Sequence, residues 1–318
     1  MKYMENLDIT RRNFLATTGI LTAGIIAFPR ELFAQKISPV VTIINAAGKS
    51  PVAITKLRGG ISMIEGSGGN IGVFAGSNGK LMVDAGIDVS KDKIRKALST
   101  ISSKPLKYLI NTHWHFDHAS GNPWVHQDGA AIIAQEKTKA NLVKTIKVED
   151  WDYTFKPMPQ AGIPTILFKN EHHLKFNNED VLMSYYGPAH TDCDISVYFP
   201  HADIIHVADT FWNGYYPFID YSSGGSIKGT IAAAVSNVKK TGSKTIVIPG
   251  HGAVGNREQL IRFADMLQEV HHKVAAMKAQ GKSLKEVVAS KPTSRYDSKF
   301  GNFVIKGDTF AYLVYRGA

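Results

Sequence analysis

Residues 111–122 read NTHWHFDHASGN and place His113, His115, Asp117 and His118 within six positions. Only 12 of the 318 residues are histidine, so this crowding calls for a cause. A shared cation supplies one. Side chains two apart at an extended strand end point to the same side, so His113 and His115 can grip one ion. A tetrahedral catalytic zinc takes three protein ligands and keeps one position for water. Asp117 and His118 are poorly placed for that ion but can reach a second one beside it, and paired ions sit about 3.5–4 Å apart. The remaining ligands must come from elsewhere in the chain.

Three later stretches offer them. GPAHTD (187–192) carries His190, HVADTF (206–211) carries Asp209 and IPGHG (248–252) carries His251. Each follows an apolar, strand-like run beside Gly, Pro or a polar turn. Loops carried on a rigid sheet are where reactive groups are usually placed.

The elements that must position these residues can be read coarsely. ISMIEG (61–66), NIGVFAG (70–76) and KLMVDAG (80–86) predict short strands bounded by turn residues. Residues 90–101 have helical spacing, and LKYLI (106–110) predicts a buried strand running into the histidine cluster. AAIIA (130–134) predicts a strand and 136–146 a helix. Residues 147–165, rich in aromatics and proline, predict a loop or flap. Strands resume at 166–168, 172–176, 181–186, 195–199, 203–208 and 244–250. Helices are predicted at 227–240, 257–280 and 283–290; the second keeps Leu260, Phe263, Leu267, Val270 and Val274 on one face. Runs of strands with helices interspersed predict a layered α/β fold with mixed sheets. No dinucleotide fingerprint or phosphate loop occurs.

H-x-H-x-D-H, then a histidine 72 residues on, an aspartate 19 further and a histidine 42 further, resembles the metallo-β-lactamase superfamily. MVDAG and GPAHTDCDISVYFP resemble that family's surroundings too. The resemblance covers about 45–270. It implies a four-layer αββα sandwich of two mixed β-sheets with metals at the sheet edge. It also implies that His113, His115 and His190 hold one metal, that Asp117, His118 and His251 hold a second, and that Asp209 bridges them. Asp84, at a strand end, is a candidate for orienting a ligand histidine.

The chemistry implied is that of a dinuclear zinc hydrolase, with iron or manganese as other possible metals. A metal-held water loses its proton near pH 7 and attacks a carbonyl, with Asp117 orienting it. The substrate is a small molecule: a lactone, thioester, ester or amide. A dedicated β-lactamase is the alternative, although lactamases more often carry Cys or Ser where Asp209 stands. Iron-bearing redox relatives usually have Glu where His115 stands, together with a flavin domain that these 318 residues do not include. A phosphodiesterase or nuclease on the same fold is a further alternative. The net charge of +10 allows nucleic acid, yet the lysines are scattered and form no run, so nucleic acid is not the expected partner.

FWNGYYPFIDYSSGG (211–225) follows Asp209 directly and predicts an apolar wall beside the metals. Tyr215 or Tyr216 in it is a candidate hydrogen-bond donor to an oxyanion, and the 147–165 flap is a candidate second wall. The single cysteine, Cys193, reads as a small buried residue and excludes an intramolecular disulfide. His126, His172, His173, His201, His206, His271 and His272 match no motif position and read as surface or hydrogen-bonded side chains.

TRRNFLA (10–16) leads into the soft apolar run 14–28 and resembles a twin-arginine export signal. That run is shorter than the roughly 20 residues a membrane-spanning helix needs. Ala34 offers a cleavage point. The expectation is a signal over 1–34, a catalytic domain over 35–318 with a helical extension after about 270, and export to the periplasm with no stable membrane anchor once the signal is removed. The oligomeric state is left open.

Overall fold

The computed structural model describes residues 37–318, so the export-signal reading of 1–34 lies outside the described residues. Ten helices and fifteen strands follow one another among the described residues. Helix α1 (Pro39–Lys49) precedes four strands, β1 (Ala53–Lys56), β2 (Ile61–Glu65), β3 (Ile71–Gly76) and β4 (Gly79–Val83). Then come α2 (Lys91–Ile101), β5 (Leu106–Asn111), the short α3 (Phe116–Ala119) and α4 (Asn122–Gln127), β6 (Ala131–Gln135) and α5 (Glu136–Leu142). A hairpin, β7 (Ile146–Val148) and β8 (Tyr153–Phe155), leads to β9 (Ile166–Phe168). Next are β10 (Glu171–Phe176), β11 (Glu179–Tyr185), β12 (Ile195–Phe199), β13 (Ile204–Trp212), α6 (Ile227–Lys240), β14 (Ile246–His251) and β15 (Gly255–Asn256). Four helices end the chain: α7 (Arg257–Ala279), α8 (Leu284–Ala289), α9 (Ser294–Phe300) and α10 (Gly307–Gly317).

The strands form two mixed sheets. The first has the order β1-β2-β3-β4-β5-β6-β9, antiparallel through β4 and parallel beyond it. The second has the order β10-β11-β12-β13-β14-β15, with only β13 and β14 parallel. Met63, Leu81, Val83 and Ile110 of the first sheet meet Val181, Met183, Val197 and Ile248 of the second in a shared core. Ile94, Ala97 and Leu98 of α2 cover the outer face of the first sheet, and α6, α7 and α10 cover that of the second. The layers are therefore helix, sheet, sheet, helix, as the family resemblance implies.

Local signals account for the best-matched elements. Asn256 and Gln259 form a capping box that starts α7, and Ser283 and Glu286 form one that starts α8. All nine residues of β13 are buried, because sheet and helices cover both of its faces. Two segments depart from the sequence reading. The predicted flap at 147–165 holds the β7–β8 hairpin, whose Ser38 Oγ to Trp151 carbonyl bond (2.7 Å) ties it to the start of α1. The predicted helix at 136–146 ends at Leu142, and Ile146 already pairs in that hairpin.

Candidate metal centre

The seven residues singled out in the sequence come from five separate elements and converge. His113 and His115 lie in the loop after β5, Asp117 and His118 on α3, His190 between β11 and β12, Asp209 within β13, and His251 at the last position of β14. Ligand atoms of His113, His115, His190 and Asp209 lie within 4.8 Å of one another, and so do those of Asp117, His118 and His251. Asp209 joins the two groups. Its Oδ1 is 3.1 Å from His118 Nε2, and its Oδ2 is 3.3 Å from His190 Nε2 and 3.4 Å from His251 Nε2.

The placing differs from the sequence reading in two details. His113 and His115 do not extend a strand: β5 stops at Asn111, because Thr112 N donates to Asp84 Oδ1 (2.8 Å) and not to a neighbouring strand. Asp209 is not at a strand end either. The β13 ladder slips on both sides of Ala208, whose φ of +45° is rare for a residue with a side chain. Such a bulge re-aims the next side chain, here Asp209, without ending the strand. Gly250 on the adjacent strand leaves room for it, since a Cβ there would collide with Asp209 Oδ1. Gly69 gives His118 the same freedom: a Cβ would fall on its ring.

The hydrogen bonds decide which nitrogen of each imidazole faces inward. His190 Nδ1 donates to the Phe218 carbonyl (2.8 Å), and His115 Nε2 donates to Asp220 Oδ2 (3.0 Å). Their other nitrogens then both carry lone pairs, and they face each other at 2.9 Å. Thr112 Oγ1 donates to Asp84 Oδ2 (2.7 Å) and so accepts from His113 Nδ1 (3.0 Å). His118 Nδ1 donates to the same Asp84 oxygen at 2.8 Å. His113 Nε2, His118 Nε2 and Asp209 Oδ1 are left buried with no hydrogen-bond partner. Unpartnered buried polar atoms are costly and rare in proteins. Ligand atoms turned to a common space, with the outer nitrogens of His113, His115, His118 and His190 tied back, are what metal ions require. The donor set of nitrogen and carboxylate oxygen suits zinc, and also iron or manganese.

The electrostatics fit as well. Burial drives the His113 pKa well below that of an ordinary imidazole and pushes His190 down to about 4. Both rings are neutral near pH 7, the form that binds a metal. Burial opposes charge on His118, yet the carboxylates of Asp209, Asp117 and Asp84 outweigh it and raise its pKa, so an ion there would displace a proton from the ring. Burial likewise opposes charge on Asp209, but His251, His118 and His190 hold it ionised well below the usual carboxylate range.

Of the other candidates, Asp84 bonds to His118 as the sequence predicts. Tyr216 is a correction. It is fully buried, its ring stacks on Phe310 (4.7 Å), and its hydroxyl is bound to the Thr293 carbonyl (3.1 Å) and Asp297 Oδ1 (2.9 Å). It is committed to the C-terminal helices and has no proton to offer an oxyanion. Tyr215 is half-buried, beside Gly252 and 4.7 Å from the ring of Phe303. Cys193 is buried against Thr191, and burial pushes its thiol up, far from thiolate chemistry. Asp220 was not anticipated. Its one signal was Asp-Tyr-Ser-Ser: the carboxylate accepts from Ser222 N and Ser223 N at the start of a short helical turn. The flap and the 211–225 segment do meet near the centre, with Trp151 stacked on Phe218 at 4.6 Å and 5.0 Å from the ring of His115.

Comparison with known proteins agrees with the fold. The chain is 26% identical over 212 residues to a metallo-beta-lactamase type 2 from Bacillus cereus, covering 60% of this chain and 70% of that protein. A metallo-beta-lactamase from Pontibacter korlensis shares the fold with a TM-score of 0.56 at 17% identity, over 68% of this chain and 99% of that one. A stereoselective inverting sec-alkylsulfatase from Pseudomonas sp. shares it with a TM-score of 0.64 at 13% identity, over 98% of this chain and 59% of that one. The sequence profile of the metallo-beta-lactamase superfamily matches residues 64–251, more than half of the chain, and this protein belongs to that superfamily of metal-dependent hydrolases.

Proposed function

We propose that the protein is a dinuclear zinc hydrolase acting on a carbonyl group in a small molecule: a lactone, thioester, ester or amide. The observation that carries this reading is the inward-facing lone pairs of His115 and His190 at 2.9 Å, with both outer nitrogens already donating. His113, His115 and His190 would hold one ion and Asp117, His118 and His251 the other, with Asp209 within reach of both groups. Bound ions of this kind make water acidic near pH 7 and polarise a carbonyl.

The chain's own residues do the rest. Asp117 and His251, at 7% and 9%, are the most exposed of the seven, so substrate arrives on their side. Asp117 Oδ2, 3.4 Å from His251 Nε2, accepts a hydrogen bond from the attacking water and orients it. Burial raises the Tyr215 pKa, so its hydroxyl stays protonated and can donate to the oxygen that gains charge. Trp151 and Phe218 wall off the His115 side and exclude bulk water.

Metal analysis of the purified protein, with turnover of lactone, thioester, ester and cephalosporin substrates beside a His113→Ala control, tests this. Two zinc ions per chain and turnover lost in the control are expected. The cephalosporin is included because the Bacillus cereus relative is a metallo-beta-lactamase. Cleavage of alkyl sulfate esters with no carbonyl substrate accepted would overturn the reading. Residues 1–34 are proposed to export the folded, metal-loaded protein. A twin-lysine replacement of Arg11 and Arg12 that left its location unchanged would refute that.

A further inference from the structure

We propose that the C-terminal extension selects the substrate, with Phe303 receiving an apolar acyl group next to the metal centre. This rests on the hydrolase reading above and narrows its substrate class. Residues 280–318 lie beyond the span matched by the superfamily profile. They nonetheless return to the site: the loop between α9 and α10 sets the Phe303 ring 6.1 Å from His251, 6.0 Å from Trp212 and 4.7 Å from Tyr215. His251 is the most exposed member of the centre, so Phe303 stands where substrate enters. The next residue, Val304, is 46% exposed.

The loop is held firmly. Tyr216 N donates to the Phe300 carbonyl (2.9 Å) at the end of α9, and its hydroxyl bonds to the Thr293 carbonyl just before α9 and to Asp297 in its middle. Ile305, two residues past Phe303, is buried in the core shared with α7 and α10. The neighbours Tyr215 and Tyr216 therefore divide the work: one lines the wall with Phe303, and the other anchors the helices that carry it. Sites built on fixed elements discriminate better than mobile ones. A wall of Phe303, Tyr215 and Trp212 favours methylene or ring carbon over a polar group, by about fourfold per methylene buried.

The test uses the zinc-loaded protein and two carboxylates, acetate and octanoate, as product-like probes, with binding read by calorimetry and zinc content measured in parallel. Wild type should bind octanoate at least about 10-fold tighter than acetate. Phe303→Ala should reduce that ratio to near one while two zinc ions per chain remain, and Phe303→Leu should restore most of it. An unchanged ratio in Phe303→Ala, or no preference in wild type, overturns the proposal. Because binding is read without turnover, failure of the hydrolase reading shows separately, as two bound zinc ions with no carbonyl substrate cleaved.

Discussion

Asp84 Oδ2 accepts a hydrogen bond from His118 Nδ1 at 2.8 Å, and the same oxygen takes the Thr112 hydroxyl that orients His113. One buried carboxylate thus sets a histidine in each half of the centre. Asp84 itself sits at a φ of +65°, which turns the chain sharply after β4. Asp84→Asn keeps the shape but cannot accept both bonds with the same strength. Zinc affinity should fall by about 10–100-fold at both positions. Competition with a chromogenic chelator measures it, and loss at one position only would contradict the shared role.

Asp220 has a narrower task. It holds His115 Nε2 and caps the turn at Tyr221–Ser223. Asp220→Asn should weaken the ion held by His113, His115 and His190 by about 10-fold or more and leave the other nearly unaffected. Stepwise titration with cobalt, followed by its visible spectrum, separates the two ions.

His251→Ala should remove one of two ions, because Asp117 and His118 alone make a poor site. Asp209→Ala should cost both, since its oxygens approach His118, His190 and His251. Metal-to-protein ratios after dialysis distinguish these outcomes, and equal losses in the two variants would argue against a spanning role for Asp209.

Gly250→Ala adds one carbon where Asp209 Oδ1 and the Ala208–Asp209 backbone already pack. Overpacking of this kind costs roughly 1–3 kcal/mol. The melting temperature should fall, and zinc should bind more weakly because the displaced group is Asp209. A variant as stable and as metal-avid as wild type would mean that β13 and β14 separate freely here.

His206, outside the ligand set, should make stability depend on pH. It is fully buried, its Nε2 donates to the Asn70 carbonyl (3.2 Å), and its Nδ1 accepts from Ala208 N (3.3 Å). Burial lowers its pKa to about 4 in the fold, against about 6.5 when unfolded. The unfolded chain therefore takes up a proton first. Stability is full above about pH 6.5 and declines towards pH 4, by up to about 1.4 kcal/mol per pH unit. Melting curves in excess zinc from pH 7 to 5 should be steeper for wild type than for His206→Gln; parallel curves would exclude this contribution.

Residue type and spacing marked the candidate ligands and a layered α/β fold, and the resemblance those motifs carry assigned them to two ions. His113, His115, Asp117 and His118 are legible because they crowd within six positions, and helices such as Ile227–Lys240 and Arg257–Ala279 because their apolar period is local. Tertiary structure decided what each ligand leans on. Asp220 reaches His115 across 105 residues, and nothing near either residue marks the pairing. Tyr215 and Tyr216 are equivalent as sequence; only the packing of α9 and α10 turns one hydroxyl away to Asp297. The bulge at Ala208 arises from pairing between β13 and β14, not from β13 itself. Phe303 reads as an ordinary aromatic until the chain folds back onto His251. Periodicity reports which face of an element is buried, whereas the partner across that face is set by elements far away in sequence.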